Sequence, residues 1–344
     1  MTITAFDRVM TAIGQKEPDR VPLFLLLTMH GAKELGMSIR QYFSKAENVV
    51  EGQSRMVRRY GHDCLYPFFY APLEVEAFGA DVIYYEDGPP NTGRPIITKE
   101  KIEGLEPPDV HSSVHLRKVL EAERALRKRF GSDYPIIGVA MSPFSLPVMQ
   151  MGFEAYLDLL LNDQEGFWDL MKVNQRFCTE WSNAQLEAGA HAICYFDPVS
   201  SPTIIPPALY SRTGKVVAER TLRAIKGPTA THFASGRCLN ILDDVAVTGT
   251  AIAGVSMLED LAELKAKAAG RLTLLGNLNG LTMRKWTPQE AATQVRDAIR
   301  KAAPGGGFIL SDSHGEIPWQ TPTEVLKAIG KAARRYGTYP LKEM

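Results

Sequence analysis

Short apolar runs recur along the chain, and segments with helical spacing of their apolar residues lie between them. Eight of these runs are apolar across most of their width, which is typical of parallel strands buried on both faces. The runs are Val21–Leu27, Cys64–Tyr70, Ile136–Met141, Ala192–Asp197, Ala230–Ser235, Ala251–Val255, Leu272–Gly276 and Phe308–Ser311. We therefore predict eight strands.

Seven segments have the apolar periodicity of amphipathic helices. They are Ile39–Tyr60, Val114–Phe130, Gly166–Ala188, Pro206–Lys226, Leu258–Ala269, Thr287–Ala303 and Thr321–Tyr336. The last two open with the same signature, a threonine followed by proline and then by glutamate at the third helical position, which predicts a capping box at each. Eight strands that alternate with helices predict an α/β fold, a (β/α)8 TIM barrel.

The barrel is expected to form a single domain over residues 1–344, with an N-terminal helical extension. A doubly wound sheet is the alternative, but its phosphate-binding fingerprint is missing, because Gly305-Gly306-Gly307 precedes a strand instead of following one. Residues 72–108 have little helical pattern, and Asp81–Tyr85 has the pattern of a strand. This segment is predicted to be a hairpin-like excursion between the second and third strands.

Composition narrows the class of protein. The 344 residues carry 39 basic and 39 acidic side chains, so the net charge is zero, which argues against a dedicated nucleic-acid binder. The four cysteines are widely spaced and form no CxxC pair, which excludes a disulfide scaffold and a zinc ribbon. No apolar run reaches the roughly 18 residues of a membrane span, and the first residues lack a signal-peptide core. A cytoplasmic protein without membrane partners is expected.

In a barrel of this kind the active site lies at the carboxyl ends of the strands. That rule selects His232, near the end of the fifth strand, and His314 and Glu316, just after the eighth. Imidazole is a common metal ligand and general acid or base, and Cys238 could complete a zinc site with these residues. The alternatives are hydrogen-bonded loop histidines and a buried, unreactive cysteine.

The same rule selects further polar residues. Asp197 ends the fourth strand and is predicted to take part in catalysis or only to cap its loop, and Asn277 is predicted to contact a substrate oxygen or to fix its turn. Glu74 and Glu76 would face one side of an extended strand, either to bind substrate or to form a solvated hairpin face. Met141, at the end of the third strand, completes the predicted substrate-binding set.

Four segments at these strands carry a resemblance to a known family. Gly189–Asp197, Thr231–Gly236, Leu274–Asn277 and Gly305–Ser311 resemble, in this order, the uroporphyrinogen decarboxylase superfamily. That superfamily includes the decarboxylase of haem synthesis and the corrinoid-dependent methyltransferases, and the resemblance implies a (β/α)8 barrel.

The decarboxylase branch has an N-terminal arginine-rich motif that grips substrate carboxylates and an aspartate near the second strand. Here the equivalent stretches, Phe24–Ala32 and Tyr66–Ala71, contain neither. A polyanionic substrate without a guanidinium clamp is physically implausible. Phe233-Ala234-x-Gly236 and His314-Gly315 do resemble the decarboxylase, whereas Leu73–Ala80 resembles the acidic segment of the methyltransferases.

The methyltransferase branch carries a zinc motif, a His-x-Cys followed much later by a cysteine. His232 matches the histidine, but Ala234 stands at the first cysteine, and His314 and Glu316 occupy the region of the last. The resemblance therefore implies zinc on a non-standard set of His232, His314, Glu316 and Cys238, with His232, His314 and Asp197 as catalytic residues. A site with fewer sulfur ligands suits polarising a methyl donor more than activating a thiol.

The resemblance thus implies transfer of a methyl group between a small molecule, such as a methoxy compound, and the corrinoid of a separate partner protein. A homodimer is compatible with the sequence. Three alternatives stay open: a decarboxylase acting on a porphyrinogen-like substrate, a methylcobalamin:thiol methyltransferase of the coenzyme M type, and an inactive barrel that serves as a binding subunit.

Overall fold

A computed structural model describes residues 3–342 of the chain. Its strands are β1 Leu23–Phe24, β2 Val82–Ile83, β3 Asn91–Thr92, β4 Ile137–Met141, β5 Ala192–Phe196, β6 Thr229–His232, β7 Ile252–Gly254, β8 Thr273–Leu278 and β9 Phe308–Asp312. Seven of them form one parallel sheet in the order β1-β9-β8-β7-β6-β5-β4, and β2 pairs with β3 in a separate antiparallel hairpin. The sheet curls into a barrel, which confirms the predicted fold class and the hairpin in the excursion.

The second predicted strand, Cys64–Tyr70, is present only as a single bridge between Leu65 and Ile136. The N–H of Asp63 donates to the carbonyl of Leu23 at 2.7 Å, and the N–H of Ile137 donates to the carbonyl of Leu65 at 3.0 Å. This short stretch thus closes the barrel between β1 and β4. Pro67 has no N–H to donate, so the ladder cannot continue through it.

In the described part of the chain, sixteen α-helices surround the sheet. They are α1 Ala5–Ile13, α2 His30–Leu35, α3 Ile39–Tyr42, α4 Ala46–Tyr60, α5 Leu73–Ala77, α6 Val114–Phe130, α7 Pro147–Met151, α8 Phe153–Asn162, α9 Gln164–Ala188, α10 Pro207–Arg212, α11 Gly214–Ala224, α12 Leu242–Ala246, α13 Leu261–Ala268, α14 Gly280–Met283, α15 Pro288–Ala302 and α16 Thr323–Gly337. No helix within residues 3–342 is long and apolar enough to cross a bilayer.

Two predictions about helix starts had different outcomes. The capping box of α15 is present: the hydroxyl of Thr287 accepts the N–H of Glu290, and the carboxylate of Glu290 accepts the N–H of Thr287. The second capping box is wrong. The helix α16 begins only at Thr323, with Pro322 at the N-cap and no side-chain cap, because Thr321 belongs to the preceding turn.

The predicted extended conformation of Glu74 and Glu76 is also wrong. Both lie in the short helix α5, where the N–H of Glu76 donates to the carbonyl of Pro72 at 2.8 Å. Leu73 and Val75 are buried there, and Pro72 suits the start of a helix. The two carboxyl groups therefore have different surroundings and do not share a strand face.

Side chains from all eight strands of the barrel, counting the irregular second segment, fill its interior. Its members, which pack together as one cluster, are Val9, Phe24, Leu26, Cys64, Tyr66, Val139, Cys194, Ala230, Ile252, Leu275 and Ile309. Val9 comes from α1, and its packing in this cluster gives the predicted N-terminal helix a role in closing the barrel. The interior is thus a packed core, and polar chemistry is confined to the carboxyl ends of the strands.

Candidate functional site

His232 is the last residue of β6 and is completely buried. Its ring stacks on Phe196 with centroids 5.3 Å apart, and Gly254 of the neighbouring strand leaves room for it, since a Cβ there would lie 2.5 Å from Cδ2 of the imidazole. Nδ1 accepts the N–H of Ala234 at 3.0 Å. Burial lowers the pKa of His232 to about 4, so the ring is neutral and its proton is on Nε2.

The Nε2 atom of His232 is buried and has no hydrogen-bond partner among residues 3–342. A buried donor without a partner costs roughly 1–3 kcal/mol, so native proteins rarely keep one without a purpose. The geometry therefore leaves a neutral N–H donor without a partner at the carboxyl end of β6, the end of a strand at which barrel active sites lie.

Asp312, the last residue of β9, is the second polar group of the site. Its Oδ2 accepts the N–H groups of His314 at 2.8 Å and Gly315 at 3.0 Å, whereas its Oδ1 is buried without a partner in the described part of the chain. Burial raises the pKa of Asp312 to about 6. This carboxyl therefore binds a proton more readily than an exposed aspartate does.

Glu316 is the third polar group. The hydroxyl of Thr28, just beyond β1, donates to its carboxyl group. Surrounding protein atoms exclude water from this carboxyl, and this desolvation, together with the negative charge of Asp312, raises the pKa of Glu316 to about 7. Neither Asp312 nor Glu316 forms an ion pair with any lysine, arginine or histidine between residues 3 and 342.

Residues 313–320, which we call the strap, run from β9 across the barrel mouth. The N–H of Ile317 donates to the carbonyl of Leu26 at 3.1 Å, and the hydroxyl of Tyr66 lies 3.4 Å from the carbonyl of Gly315. Gly315 has a φ of +86°, and a Cβ there would lie 2.6 Å from the ring of Phe196. The strap therefore packs directly onto the ring that stacks on His232.

His314 lies within the strap and is only partly buried. Its Nδ1 is 3.2 Å from the hydroxyl of Ser313, and a Cβ on Gly280 would lie 3.1 Å from the same nitrogen. Burial lowers the pKa of His314. The structure thus brings His232, His314 and Glu316 to one mouth, together with Asp312.

The other predicted catalytic residue, Asp197, has partners of its own. It is buried, and its Oδ1 accepts the hydroxyl groups of Ser142 at 2.5 Å and Ser145 at 2.7 Å. Burial raises its pKa. Asp197 ties the loop after β4 to the loop after β5, which corresponds to the structural alternative given for it.

Cys238 lies apart from the histidines. It is fully buried and belongs to the large apolar cluster that also contains Ile241, Val245 and Val255. Burial raises the pKa of its thiol well above the ordinary value, which is the behaviour of a small apolar side chain. The nearby carboxylate of Glu259 accepts the backbone N–H of Cys238 at 2.8 Å.

The predicted substrate-binding residues Asn277, Glu74 and Glu76 each form a hydrogen bond within the protein. Asn277 donates from Nδ2 to the carbonyl of Ser256 at 3.0 Å and so supports the loop after β7. Glu74 is buried, accepts the N–H of Met141 at 2.9 Å, and has its pKa raised by burial to about 8. Glu76 instead accepts the hydroxyl of Tyr70 at 2.7 Å.

The described residues do not fit the zinc site that the resemblance implies. Within residues 3–342 no group of three or more His, Cys, Asp or Glu side chains could hold a metal ion. The Nδ1 of His232 accepts a backbone N–H, which leaves the proton on Nε2, the atom that would have to bind the metal. Cys238, the only thiol of the proposed set, belongs to the large apolar cluster.

Sequence reasoning did not single out Asp312, Thr28 or Tyr66. Asp312 ends the last strand, so the rule that selected its neighbours applied to it equally. Thr28 directly follows the predicted strand Val21–Leu27, so the same rule applied to it as well, whereas Tyr66 lies inside the predicted strand Cys64–Tyr70. Only the path of the strap brings these side chains together.

Comparisons with known proteins agree with this architecture. A family model described as uroporphyrinogen decarboxylase (URO-D) matches residues 4–336. A uroporphyrinogen decarboxylase of Idiomarina loihiensis is 25% identical over 349 residues, with 96% of each chain covered. The methylcobamide:CoM methyltransferase MtaA of Methanosarcina barkeri is 27% identical over 233 residues, with 67% of each chain covered.

Among solved structures, a methyltransferase from Methanosarcina mazei superposes with a TM-score of 0.88 at 21% identity, covering 97% of this chain and 99% of that one. At this identity the likeness concerns the fold alone. The named relatives therefore include both decarboxylases and methyltransferases. Because the family model spans nearly the whole chain, the chain belongs to the uroporphyrinogen decarboxylase (URO-D) family.

Proposed function

We propose that this chain is a methyltransferase that moves a methyl group between a small methoxy compound and the corrinoid of a separate partner protein. The observation that carries the proposal is the composition of the barrel mouth. Two protonatable carboxyl groups, Asp312 and Glu316, and the neutral N–H of His232 lie there without a cationic partner in the described chain. Such a mouth donates protons and hydrogen bonds to oxygen.

Breaking the bond between a methyl carbon and its oxygen leaves the bonding electron pair on the oxygen. The partner's corrinoid, as the methyl acceptor, supplies the electron pair for the new bond to the methyl group. The released oxygen then needs a proton, and in this proposal Glu316, whose pKa of about 7 matches neutral conditions, gives it. General acids of this kind contribute roughly a hundred- to ten-thousandfold to rate.

The other residues of the mouth have supporting roles in this proposal. The Nε2–H of His232 donates to the substrate oxygen and stabilises the charge that develops on it. Asp312 anchors the start of the strap through the N–H groups of His314 and Gly315. His314, partly exposed, is placed to exchange protons with water and restore the acid after each turnover.

A decarboxylase is the second candidate, because a uroporphyrinogen decarboxylase gives the longer of the two sequence matches. Decarboxylation also consumes a proton, which this mouth can supply. The acidic character of the mouth weighs against it, since a polycarboxylate substrate would meet Asp312 and Glu316 without a guanidinium group to offset their charge. Thiol methylation is less favoured, because the residues present do not form a zinc site that would bind a thiolate.

The proposal is tested by following methyl transfer from 2-methoxyphenol to free cob(I)alamin under anaerobic conditions. The wild-type chain should form methylcobalamin, and Glu316→Gln should lower kcat by roughly a hundredfold or more because the amide cannot donate an acid proton. Glu324→Gln, at an exposed position on α16, is the matched control and should keep wild-type activity. Equal activity in both variants would remove Glu316 from the mechanism.

A further inference from the structure

Gln53 lies on α4, outside the barrel mouth, and is completely buried. Its side-chain amide makes two hydrogen bonds to backbone groups of different segments. Oε1 accepts the N–H of Tyr66 at 3.0 Å, and Nε2 donates to the carbonyl of Leu27 at 2.9 Å. One side chain thus bridges the segment that follows β1 and the irregular segment that replaces the second strand.

The two backbone positions that Gln53 holds are close to the side chains that contact the strap. One is Tyr66 itself, and the other is Leu27, the neighbour of Thr28. Tyr66 directs its hydroxyl to the carbonyl of Gly315, and Thr28, which follows Leu27, donates to Glu316. No regular ladder fixes these positions, because β1 ends at Phe24 and the second strand is reduced to one bridge. The amide of Gln53 is therefore a fixed link between them.

We propose that Gln53 is a positioning residue, whose amide places Tyr66 and Thr28 and through them the strap that carries Glu316. Its effect on turnover rests on the proposed function, whereas its effect on the strap does not. A shift of about 1 Å in a catalytic group is enough to cost roughly a hundredfold in rate.

Gln185 on α9 provides a matched control. It is equally buried and also bonds two backbone groups, the N–H and the carbonyl of Val139, both at 2.9 Å. Val139 belongs to the packed interior of the barrel, and Gln185 touches neither backbone group that Gln53 holds. Loss of either amide leaves two backbone groups unpaired, but only loss of Gln53 should release the strap.

The test measures hydrogen exchange of peptides that cover residues 313–320 in Gln53→Leu and Gln185→Leu. Gln53→Leu should speed exchange of the strap by about tenfold or more and lower kcat more than it raises KM, whereas Gln185→Leu should leave strap exchange at the wild-type rate. Equal strap exchange in the two variants, or an unchanged strap in Gln53→Leu, would overturn the proposal.

A conservative variant keeps the test decisive if Gln53→Leu fails to fold. In Gln53→Glu, the protonated acid can still accept from Tyr66 and donate to Leu27, but the carboxylate has no donor. Because Asp312 and Glu316 at the strap titrate in both proteins, each variant is compared with wild type at the same pH. Strap protection in Gln53→Glu should match wild type at low pH and fall below it as pH rises, and protection equal to wild type across the range would contradict the proposal. If the wild type shows no methyl transfer, the proposed function fails, and strap exchange still decides the role of Gln53.

Discussion

The side-chain amide of Gln185 pairs with both the N–H and the carbonyl of Val139, each at 2.9 Å. This is the pairing that a neighbouring strand would otherwise provide. Two residues further along β4, Glu74 accepts the N–H of Met141. Side chains thus satisfy the free edge of β4 after the backbone of the second segment has turned away at Pro67.

Replacing Gln185 by leucine should therefore destabilise the fold substantially. Two buried backbone groups lose their partners, at roughly 1–3 kcal/mol each. Gln175→Leu on the same helix is the control, since its bonds of 3.3 and 3.4 Å are longer and the side chain is only half-buried. Denaturant unfolding of both variants checks this, and similar losses of unfolding free energy would mean that the pairing at Val139 contributes little.

Glu74 should make the stability of the protein depend on pH. Burial raises its pKa to about 8, above its ordinary value, so between about pH 5 and pH 8 the folded state binds more protons than the unfolded one. Stability then falls as pH rises, by up to about 1.4 kcal/mol for each pH unit from this group.

Glu74→Gln removes that contribution. The unfolding free energy of the variant should therefore increase relative to that of the wild type as pH rises from about 5 to about 8. Thermal or urea unfolding at several pH values measures the difference. The exposed Glu324→Gln should follow the wild-type curve. A constant difference between Glu74→Gln and wild type across the range would show that Glu74 does not titrate in this window.

His232→Ala should abolish most methyl transfer, because it removes the Nε2–H donor from the barrel mouth. A loss of roughly a hundredfold in kcat is the scale expected for a donor that stabilises developing charge on oxygen. His111→Ala, at an exposed position in the segment just before α6, is the control. Unchanged turnover in His232→Ala would refute the role given to this residue.

Purified protein should contain less than about half an equivalent of zinc, because the residues at the mouth do not assemble a ligand set. Elemental analysis after dialysis gives the answer, and a chelator should leave methyl transfer unchanged. One equivalent of zinc that is lost in both His232→Ala and Glu316→Gln would instead place a metal at this mouth and require His232 to change its tautomer.

The sequence pattern predicted those strands correctly in which apolar character and the flanking helices indicate the same structure. The apolar runs from Ile136 onward became β4 to β9, because each run is buried on both faces and flanked by helices. The run Cys64–Tyr70 has the same apolar character, and yet only Leu65 pairs within it. Pro67 is a local signal against a continuous strand in this run, but the side chains of Gln185 and Glu74, which take over the pairing of β4, come from other elements that no local pattern brings there.

Only part of the candidate site could be predicted, because some of its contacts also join distant elements. His232 lies at a strand end and His314 and Glu316 follow one, and strand ends meet at one face of a barrel. Asp197 and Cys238 follow strand ends too, but their contacts with Ser142 and with the apolar cluster that contains Val255 depend on packing between elements. Which polar residue at a strand end faces the mouth is decided by these tertiary contacts.

Methyl transfer and decarboxylation can be compared directly in one preparation of the protein. The same purified chain is incubated with 2-methoxyphenol and cob(I)alamin, and separately with uroporphyrinogen, while methylcobalamin formation and carbon dioxide release are followed. A methyltransferase should form methylcobalamin at a rate that depends on Glu316 and His232, with no carbon dioxide above the background of the enzyme-free control. Carbon dioxide release from uroporphyrinogen without methyl transfer would contradict the proposed methyltransferase function and assign the proton-donating mouth to decarboxylation.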